Sequence, residues 1–411
     1  MKTIIVTLAL ALYTIAGIFP LQARAAETVP PITGQYGIAI DAVTGEILYN
    51  KNADQKAYPA SMTKVLTSII LDEKMPDSQM LTVSANAAGQ ECSCLEIKAG
   101  EKISKEDALY SLLLLSANDV AVAIAENVAG SVPGFATLMN DEVKKLGLKN
   151  THFVTPNGLH DPNHYTTAHD MALIMKEALK HPNVLKALST QSVDIKTSLQ
   201  TKRISNHSLV HKQPNSHVIA GKTGYTDIAQ NTLVEYLEKD NKQVIAVVMK
   251  TNLGNEYSDI QKMANYAFDH MKVEKVVSKG SVVGVKKVNG KYVDLIADSD
   301  VDLTEKSDEN VKFNTKIDLF NTYGKSVEKG QSVGNLLVME NGEILKEIPL
   351  ITNKAIPKES KVKPVTPSIE STSAIMIFIG IMAALLAFFS MIRYLKIQRS
   401  KQFDSDHPAS N

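Results

Sequence analysis

Three short clusters in this sequence hold residues that could do chemistry together: Ser61-Met-Thr-Lys64, Ser116-Ala-Asn118 and Lys222-Thr-Gly224. A serine hydroxyl is a poor nucleophile until a neighbouring base takes its proton. If residues 61–64 are helical, Lys64 lies one turn beyond Ser61, with its amine beside the hydroxyl. A lysine acts as that base only when burial and nearby positive charge lower its pKa. At a helix start, Ser61 also offers its own backbone N–H to a developing oxyanion. Alone the pattern is weak, because a capping serine followed by a surface lysine fits it too. The other two clusters strengthen it. Ser116-Ala117-Asn118 falls at a break between two helical runs, where side chains can face a cleft. Lys222-Thr223-Gly224 falls within His217–Tyr225, which reads as a strand edged by glycine, where a substrate backbone can come close.

These clusters need elements to hold them. Gly37–Asp41 and Glu46–Tyr49 flank Ala42-Val-Thr-Gly45 as a hairpin. Met62, Val65, Leu66, Ile69 and Ile70 follow the stripe of a helix that starts near Ser61. Asp107 to Leu115 is a strongly apolar helix, and another begins at Asp119, whose carboxylate suits a helix N-terminus. Phe135, Leu138, Met139, Val143 and Leu146 form a further stripe, closed by Gly147. Strands return at His217–Gly224, Asn231–Leu237 and Val244–Met249, and a last helix runs from about Tyr257 to Met271. Helices in the middle and strands at both ends predict an α/β (α+β) domain over 26–273, an antiparallel sheet flanked by helices.

From Val276 to Thr352 the pattern changes. Ser281–Val285, Tyr292–Ile296, Val311–Leu319, Leu336–Met339 and Ile344–Leu350 read as strands. Turns at Asn289-Gly290, Tyr323-Gly324, Lys329-Gly330 and Asn341-Gly342 separate them. A small all-β domain is expected over 276–353. Residues 354–372, with Pro357, Pro364 and Pro367, read as an extended linker.

Both ends read as membrane segments. Residues 3–20 carry no charge, follow Lys2 and precede Ala23-Arg24-Ala25, the pattern of a signal peptide cleaved after residue 25. Ala374 to Ile392 is an apolar run of 19 residues, about 28 Å as a helix and enough for one bilayer core. Arg393, Lys396, Arg399 and Lys401 follow it. Retained positive charge predicts a transmembrane helix over 373–393 and a cytoplasmic tail over 394–411, with the folded part outside the cell membrane.

Composition narrows the function classes. Apolar residues make up 44% and charged residues 21%, as in an ordinary folded protein and unlike a disordered one. Lys+Arg and Asp+Glu both count 44, so no basic excess is available to hold nucleic acid. Cys92 and Cys94, the two cysteines, support neither a disulfide framework nor a four-cysteine zinc site. Bridging so short a loop would be strained, so they read as two thiols. No metal or other cofactor is expected. His152, His160, His164 and His169 lie within 18 residues but match no zincin spacing and read as loop and surface histidines.

In order, S-x-x-K, S-x-N and K-T-G form the pattern of penicillin-binding proteins and class A β-lactamases. The chain resembles the low-molecular-weight penicillin-binding D-alanyl-D-alanine carboxypeptidases. Asp41–Tyr49, Pro59–Thr67, Leu112–Ala125, Thr151-His-Phe153, Asn157-Gly-Leu159, Thr167–Asp170 and Gly221–Thr226 also look like family landmarks. The resemblance implies the serine penicillin-recognising transpeptidase fold. It implies as partners peptidoglycan stem peptides ending in D-Ala-D-Ala, with β-lactams as covalent inhibitors. It gives Ser61 as nucleophile, Lys64 as proton acceptor and Ser116 as proton relay to the leaving amine. Asn118 would hold the substrate amide, Lys222 and Thr223 its carboxylate beside Gly224, and the N–H groups of Ser61 and Tyr225 the oxyanion.

The resemblance leaves rivals. A D,D-endopeptidase fits the same clusters. A class A-like β-lactamase would need a deacylating glutamate, which the window around Thr151–Asn157 lacks. A non-catalytic wall-binding protein would have no reason to keep Ser61, Lys64, Ser116 and Lys222 together. Ser84-Ala-Asn86 is a second S-x-N, read as a strand end and loop and hence as a decoy. Gln230 stands where the family usually has a glycine.

Overall fold

In the computed structural model, residues 29–209, 216–307, 311–322, 325–358 and 369–405 are described. The expected signal peptide, the Tyr323-Gly324 turn, most of the linker and the end of the tail lie outside them. The described chain divides into two compact units. The larger runs up to residue 283 and includes 296–319 and 334–350; the smaller comprises 284–295, 320–333 and residues from 351 onward.

The larger unit is built on one antiparallel sheet. Its strands are β1 (Tyr36–Asp41), β2 (Ile47–Lys51), β3 (Val218–Thr226), β4 (Gln230–Lys239) and β5 (Lys242–Thr251), in the order β2-β1-β5-β4-β3. Between β2 and β3 run helices α1 (Lys64–Lys74), α2 (Lys105–Leu113), α3 (Asn118–Ala129), α4 (Val132–Lys145), α5 (Ala168–Ala178) and α6 (Pro182–Ser189). A seventh, α7 (Asn255–Asp269), follows β5.

Side-chain alternation explains why the sheet lies between two helical layers. Ile38, Ile40, Val234, Tyr236, Ile245, Val247 and Met249 join the core formed with α1 to α6. Their neighbours Ala39, Leu233, Leu237, Val244, Ala246 and Val248 face the other way, onto Ile260, Met263, Ala264, Ala267 and Phe268 of α7. A strand buried on both faces has no polar alternation, which is why these three strands read as apolar runs. The stripe Val65, Leu66, Ile69 and Ile70 is fully buried and sets α1 at the centre of the first core. Strand β3 ends the sheet order, so one of its edges is open to a cleft.

Several strands depart from expectation. The last helix stops at Asp269, and Met271–Val277 forms strand β6, paired antiparallel with a strand at Val301–Lys306. Met271-Lys-Val-Glu alternates with period two but Lys275-Val-Val does not, and a ribbon of that length forms only with its partner, where the register shifts between Lys275 and Val277. Further strands follow at Val282–Val288, Lys291–Ala297, Asn314–Leu319, Ser332–Glu340 and Glu343–Thr352, and two short antiparallel ribbons, Met80–Thr82 with Lys102–Ser104 and Ser192–Lys196 with Thr201–Ser205, lie among the helices. Ser84 is neither strand end nor loop: its side chain accepts from the Ala87 N–H and caps a one-turn helix, Ala85–Ala88. A final helix, Ile369–Ser405, contains the apolar stretch Met376–Lys396, long enough to cross a bilayer, with mean hydropathy 2.2.

Candidate active site

Ser61 sits in a 3-10 turn, Ala60–Thr63, that runs directly into α1. The preceding Ala60 has φ +49°, a left-handed conformation that costs a residue with a Cβ about 1–2 kcal/mol. A buried chain of hydrogen bonds holds it there. His164 Nδ1 accepts from the N–H groups of Val154 (3.1 Å) and Thr155 (3.3 Å), so its proton is on Nε2. Nε2–H then donates to Thr63 Oγ1 at 2.8 Å, and that hydroxyl donates to the Ala60 carbonyl at 2.8 Å. Burial pushes the His164 pKa down to about 3. The expectation of loop and surface histidines is therefore wrong for His164, because the 153–164 segment folds beneath the turn that carries Ser61. Gly158 allows that approach: at φ +84°, a Cβ there would overlap the Ala60 carbonyl.

Lys64 is fully buried. Its Nζ lies 2.9 Å from Ser61 Oγ, 2.7 Å from Asn118 Oδ1 and 2.7 Å from the Asn157 carbonyl oxygen. Burial first, and then the positive charge of Lys222, hold its pKa well below the usual lysine value. In the neutral form the amine has two hydrogens and one lone pair. The two carbonyl oxygens, of Asn118 and Asn157, take the hydrogens. The lone pair then faces Ser61 Oγ, whose hydroxyl donates to it. This is the arrangement a general base requires.

Ser116 lies between α2 and α3 with φ +62°, and its buried Oγ has no hydrogen-bond partner among the described residues. Asn118 opens α3, and its side-chain N–H donates to the Glu91 carbonyl at 2.8 Å. Its backbone N–H donates to the Ser93 carbonyl at 2.7 Å.

On the opposite wall, β3 brings Thr223, Gly224 and Tyr225 to the cleft. A Cβ at Gly224 would come within 2.8 Å of the Ser61 backbone nitrogen, so glycine lets the strand edge close on the nucleophile. The Thr232 hydroxyl lies 3.1 Å from the Pro59 carbonyl and 3.2 Å from that of Gly224, joining strand and turn. Tyr225 is exposed, with its hydroxyl donating to Asp227. Lys222 is fully buried rather than lining the cleft, and its Nζ donates to the Thr223 carbonyl at 2.9 Å. Burial pulls its pKa down to about 7. The cleft has a volume of about 970 Å³, with Ser61, Ser116, Asn118 and Thr223 in its walls.

Sequence reasoning passed over several residues that organise this site. Asn157, whose carbonyl fixes the Lys64 amine, was visible only as part of an Asn-Gly-Leu landmark. Ser208 hydrogen-bonds the Thr223 N–H at 2.8 Å, and neither it nor Thr232 carries any local signal. Cys92 and Cys94 form a disulfide and are not two thiols. The loop brings the two Cα atoms to 4.7 Å, within disulfide reach. Gln230 takes φ +57°, the conformation for which glycine is otherwise favoured.

The D-alanyl-D-alanine carboxypeptidase model of peptidase family S11 matches residues 23–252, more than half of the chain. The chain belongs to this family. The model of the penicillin-binding protein 5 C-terminal domain matches residues 272–358, so the carboxypeptidase domain is followed by that family's β domain. The D-alanyl-D-alanine carboxypeptidase DacF of Bacillus subtilis (strain 168) is 31% identical over 333 residues, 78% of this chain and 85% of the relative. The structure of penicillin binding protein 5 from Haemophilus influenzae is 27% identical. It superposes with a TM-score of 0.59 over 80% of this chain and 99% of that one. A peptidoglycan synthesis regulatory factor from Streptococcus pneumoniae, 23% identical, shares the fold with a TM-score of 0.64 over 80% of this chain and all of its own. This carboxypeptidase is thus a serine peptidase with the penicillin-binding protein fold.

Proposed function

We propose that this D-alanyl-D-alanine carboxypeptidase releases the terminal D-alanine of peptidoglycan stem pentapeptides through an acyl-enzyme on Ser61. The observation that carries the reading is the buried Lys64 amine, 2.9 Å from Ser61 Oγ and 2.7 Å from each of the carbonyl oxygens of Asn118 and Asn157. Lys64 takes the hydroxyl proton as Ser61 attacks the carbonyl between the two D-alanines. The oxyanion is received by the N–H groups of Ser61 and Tyr225. Ser116 passes a proton to the departing D-alanine amine, and water then hydrolyses the ester. Asn118 holds the substrate's peptide amide at the cleft wall. Thr223 receives the terminal carboxylate beside Gly224, with Lys222 supplying positive charge from behind the strand.

The same geometry accounts for β-lactams as covalent inhibitors, since the lactam carbonyl presents Ser61 with a similar electrophile. The β-lactamase reading is disfavoured at Asn157, whose carbonyl is turned onto Lys64 and which has no glutamate beside it in the sequence. The D,D-endopeptidase reading uses the same residues and differs only in substrate.

For the domain division we propose the reading from the sequence, signal peptide 1–25, carboxypeptidase domain 26–273, β domain 276–353, linker 354–372, membrane helix 373–393 and cytoplasmic tail 394–411, with strand Met271–Val277 as the junction of the two folded domains. The apolar stretch Met376–Lys396 and the basic residues beyond it support a single C-terminal anchor in the cell membrane, with the enzyme on the outer face. The test is mass spectrometry of the full-length protein, in detergent, with a synthetic pentapeptide ending in D-Ala-D-Ala. Release of D-alanine, with a labelled-penicillin adduct on Ser61, supports the reading. Cleavage of a cross-linked peptide dimer without D-alanine release would replace it with the endopeptidase.

A further inference from the structure

The loop that carries Cys92 and Cys94 forms one wall of the cleft, and it is tied to the S-x-N cluster at several points. Asn118 donates from its backbone to the Ser93 carbonyl (2.7 Å) and from its side chain to the Glu91 carbonyl (2.8 Å). Ser93 Oγ donates in turn to the Leu115 carbonyl at 2.9 Å, just before Ser116. Beyond the cysteines, the N–H groups of Leu95 (3.1 Å) and Glu96 (2.9 Å) donate to the Asp119 carboxylate. Ser93, the residue enclosed by the disulfide, therefore supplies an acceptor for Asn118, whose Oδ1 holds Lys64.

We propose that Cys92–Cys94 is a thiol–disulfide exchange site that positions Asn118, so that the oxidised loop favours catalysis and the reduced loop weakens it. The inference rests on the function proposed above. While the bridge is closed, the backbone around Ser93 has few conformations, and the Glu91 and Ser93 carbonyls are pre-aimed at Asn118. Opening it returns conformational freedom to the loop, and these acceptors are then held only part of the time. Cys92 is exposed and Cys94 partly so, which leaves the bridge open to attack from the cleft side.

The exchange is a balanced two-electron step with a dithiol as reductant. One thiolate of the dithiol attacks the Cys92 sulfur, the S–S bond breaks, and Cys94 leaves as a thiolate that takes up a proton. The second thiol of the reductant then attacks the mixed disulfide, releasing the Cys92 thiol and a cyclic disulfide of the reductant.

The test uses full-length protein in detergent, with dithiothreitol as the dithiol, and follows D-alanine release from a D-Ala-D-Ala peptide. Thiol alkylation and mass measurement before treatment should find the pair bridged; two alkylated thiols in air-oxidised protein would overturn the proposal. On reduction, kcat/KM should fall about tenfold, the scale of one weakened hydrogen bond in a buried site, and should recover on reoxidation. The Cys92→Ser/Cys94→Ser variant should keep the melting temperature of the wild type, show the rate of the reduced form and ignore dithiothreitol. A rate identical in oxidised and reduced wild type would also overturn it. Oxidised protein that releases no D-alanine and takes no penicillin would instead overturn the function proposed above.

Discussion

Gly224 and Ser61 meet across the cleft so closely that the position of a Cβ on Gly224 is 2.8 Å from the Ser61 backbone nitrogen. It is also 3.0 Å from the Pro59 carbonyl oxygen. Both neighbours are backbone, which cannot rotate aside, so Gly224→Ala must push the strand edge away from the nucleophile. A displacement near 1 Å at a reacting centre costs on the order of 100-fold in rate. We expect that loss in the rate of acylation by labelled penicillin, measured in stopped flow, with only a small drop in melting temperature. Wild-type acylation by this variant would show that the contact does not set the geometry of attack.

The two buried lysines give the enzyme a pH profile with a sign that can be checked. Lys64 must be neutral to accept the Ser61 proton, so kcat/KM rises as pH climbs through its lowered pKa. Lys222 loses its charge near pH 7 in the free enzyme, which gives a falling limb on the alkaline side. A bound carboxylate favours the charged form of Lys222, so the falling limb of kcat should lie at higher pH than that of kcat/KM. Lys222→Met removes the positive neighbour and lets the Lys64 pKa rise. The acid limb should then move to higher pH, while kcat/KM drops by roughly 30- to 5,000-fold. An acid limb that stays in place in Lys222→Met would separate the two lysines.

His164 should make the protein acid-sensitive. Its folded pKa, about 3, lies below the ordinary 6.5 of the unfolded chain, so between those values the unfolded state binds the extra proton. The stability it contributes is complete above pH 6.5 and is lost as pH falls toward 3, by on the order of 4 kcal/mol. His164→Gln keeps a hydrogen-bonding side chain without this titration. Urea unfolding at pH 7.5 and pH 4 should show a smaller pH-dependent loss in the variant, and equal losses would exclude His164 as the source.

The two S-x-N serines should separate cleanly. Ser84 caps a one-turn helix and is not part of the cleft, so Ser84→Ala should leave penicillin labelling intact. Its lost cap should cost about 1 kcal/mol of stability. Ser61→Ala should abolish labelling, and a peptide map that places the adduct on any other residue would remove Ser61 from its role.

What the sequence determined by itself is the chemistry and the local elements. Ser61, Lys64, Ser116, Asn118, Lys222 and Thr223 are legible because helical spacing and turn breaks are local, and a resemblance linked the clusters. The strands around Lys222, Leu233 and Val247 and the stripe of α1 are legible for the same reason: period and length are written in adjacent residues. Burial and long-range closure are not. Lys222 reads as a cleft-facing charge, and only packing shows it covered; its lowered pKa follows from that burial. His164 reads as a surface histidine, yet the fold brings it to Thr63, 101 residues away in the sequence, beneath the turn that presents the nucleophile. Asn157 reaches Lys64 across 93 residues, and Thr232 reaches Pro59 across 173. Such contacts carry no periodic signal, because each needs only one polar atom at the right place once the core has closed. The tertiary structure decided how the Lys64 pKa is lowered and how tightly the strand edge meets the serine, since both depend on which distant groups exclude water from the site.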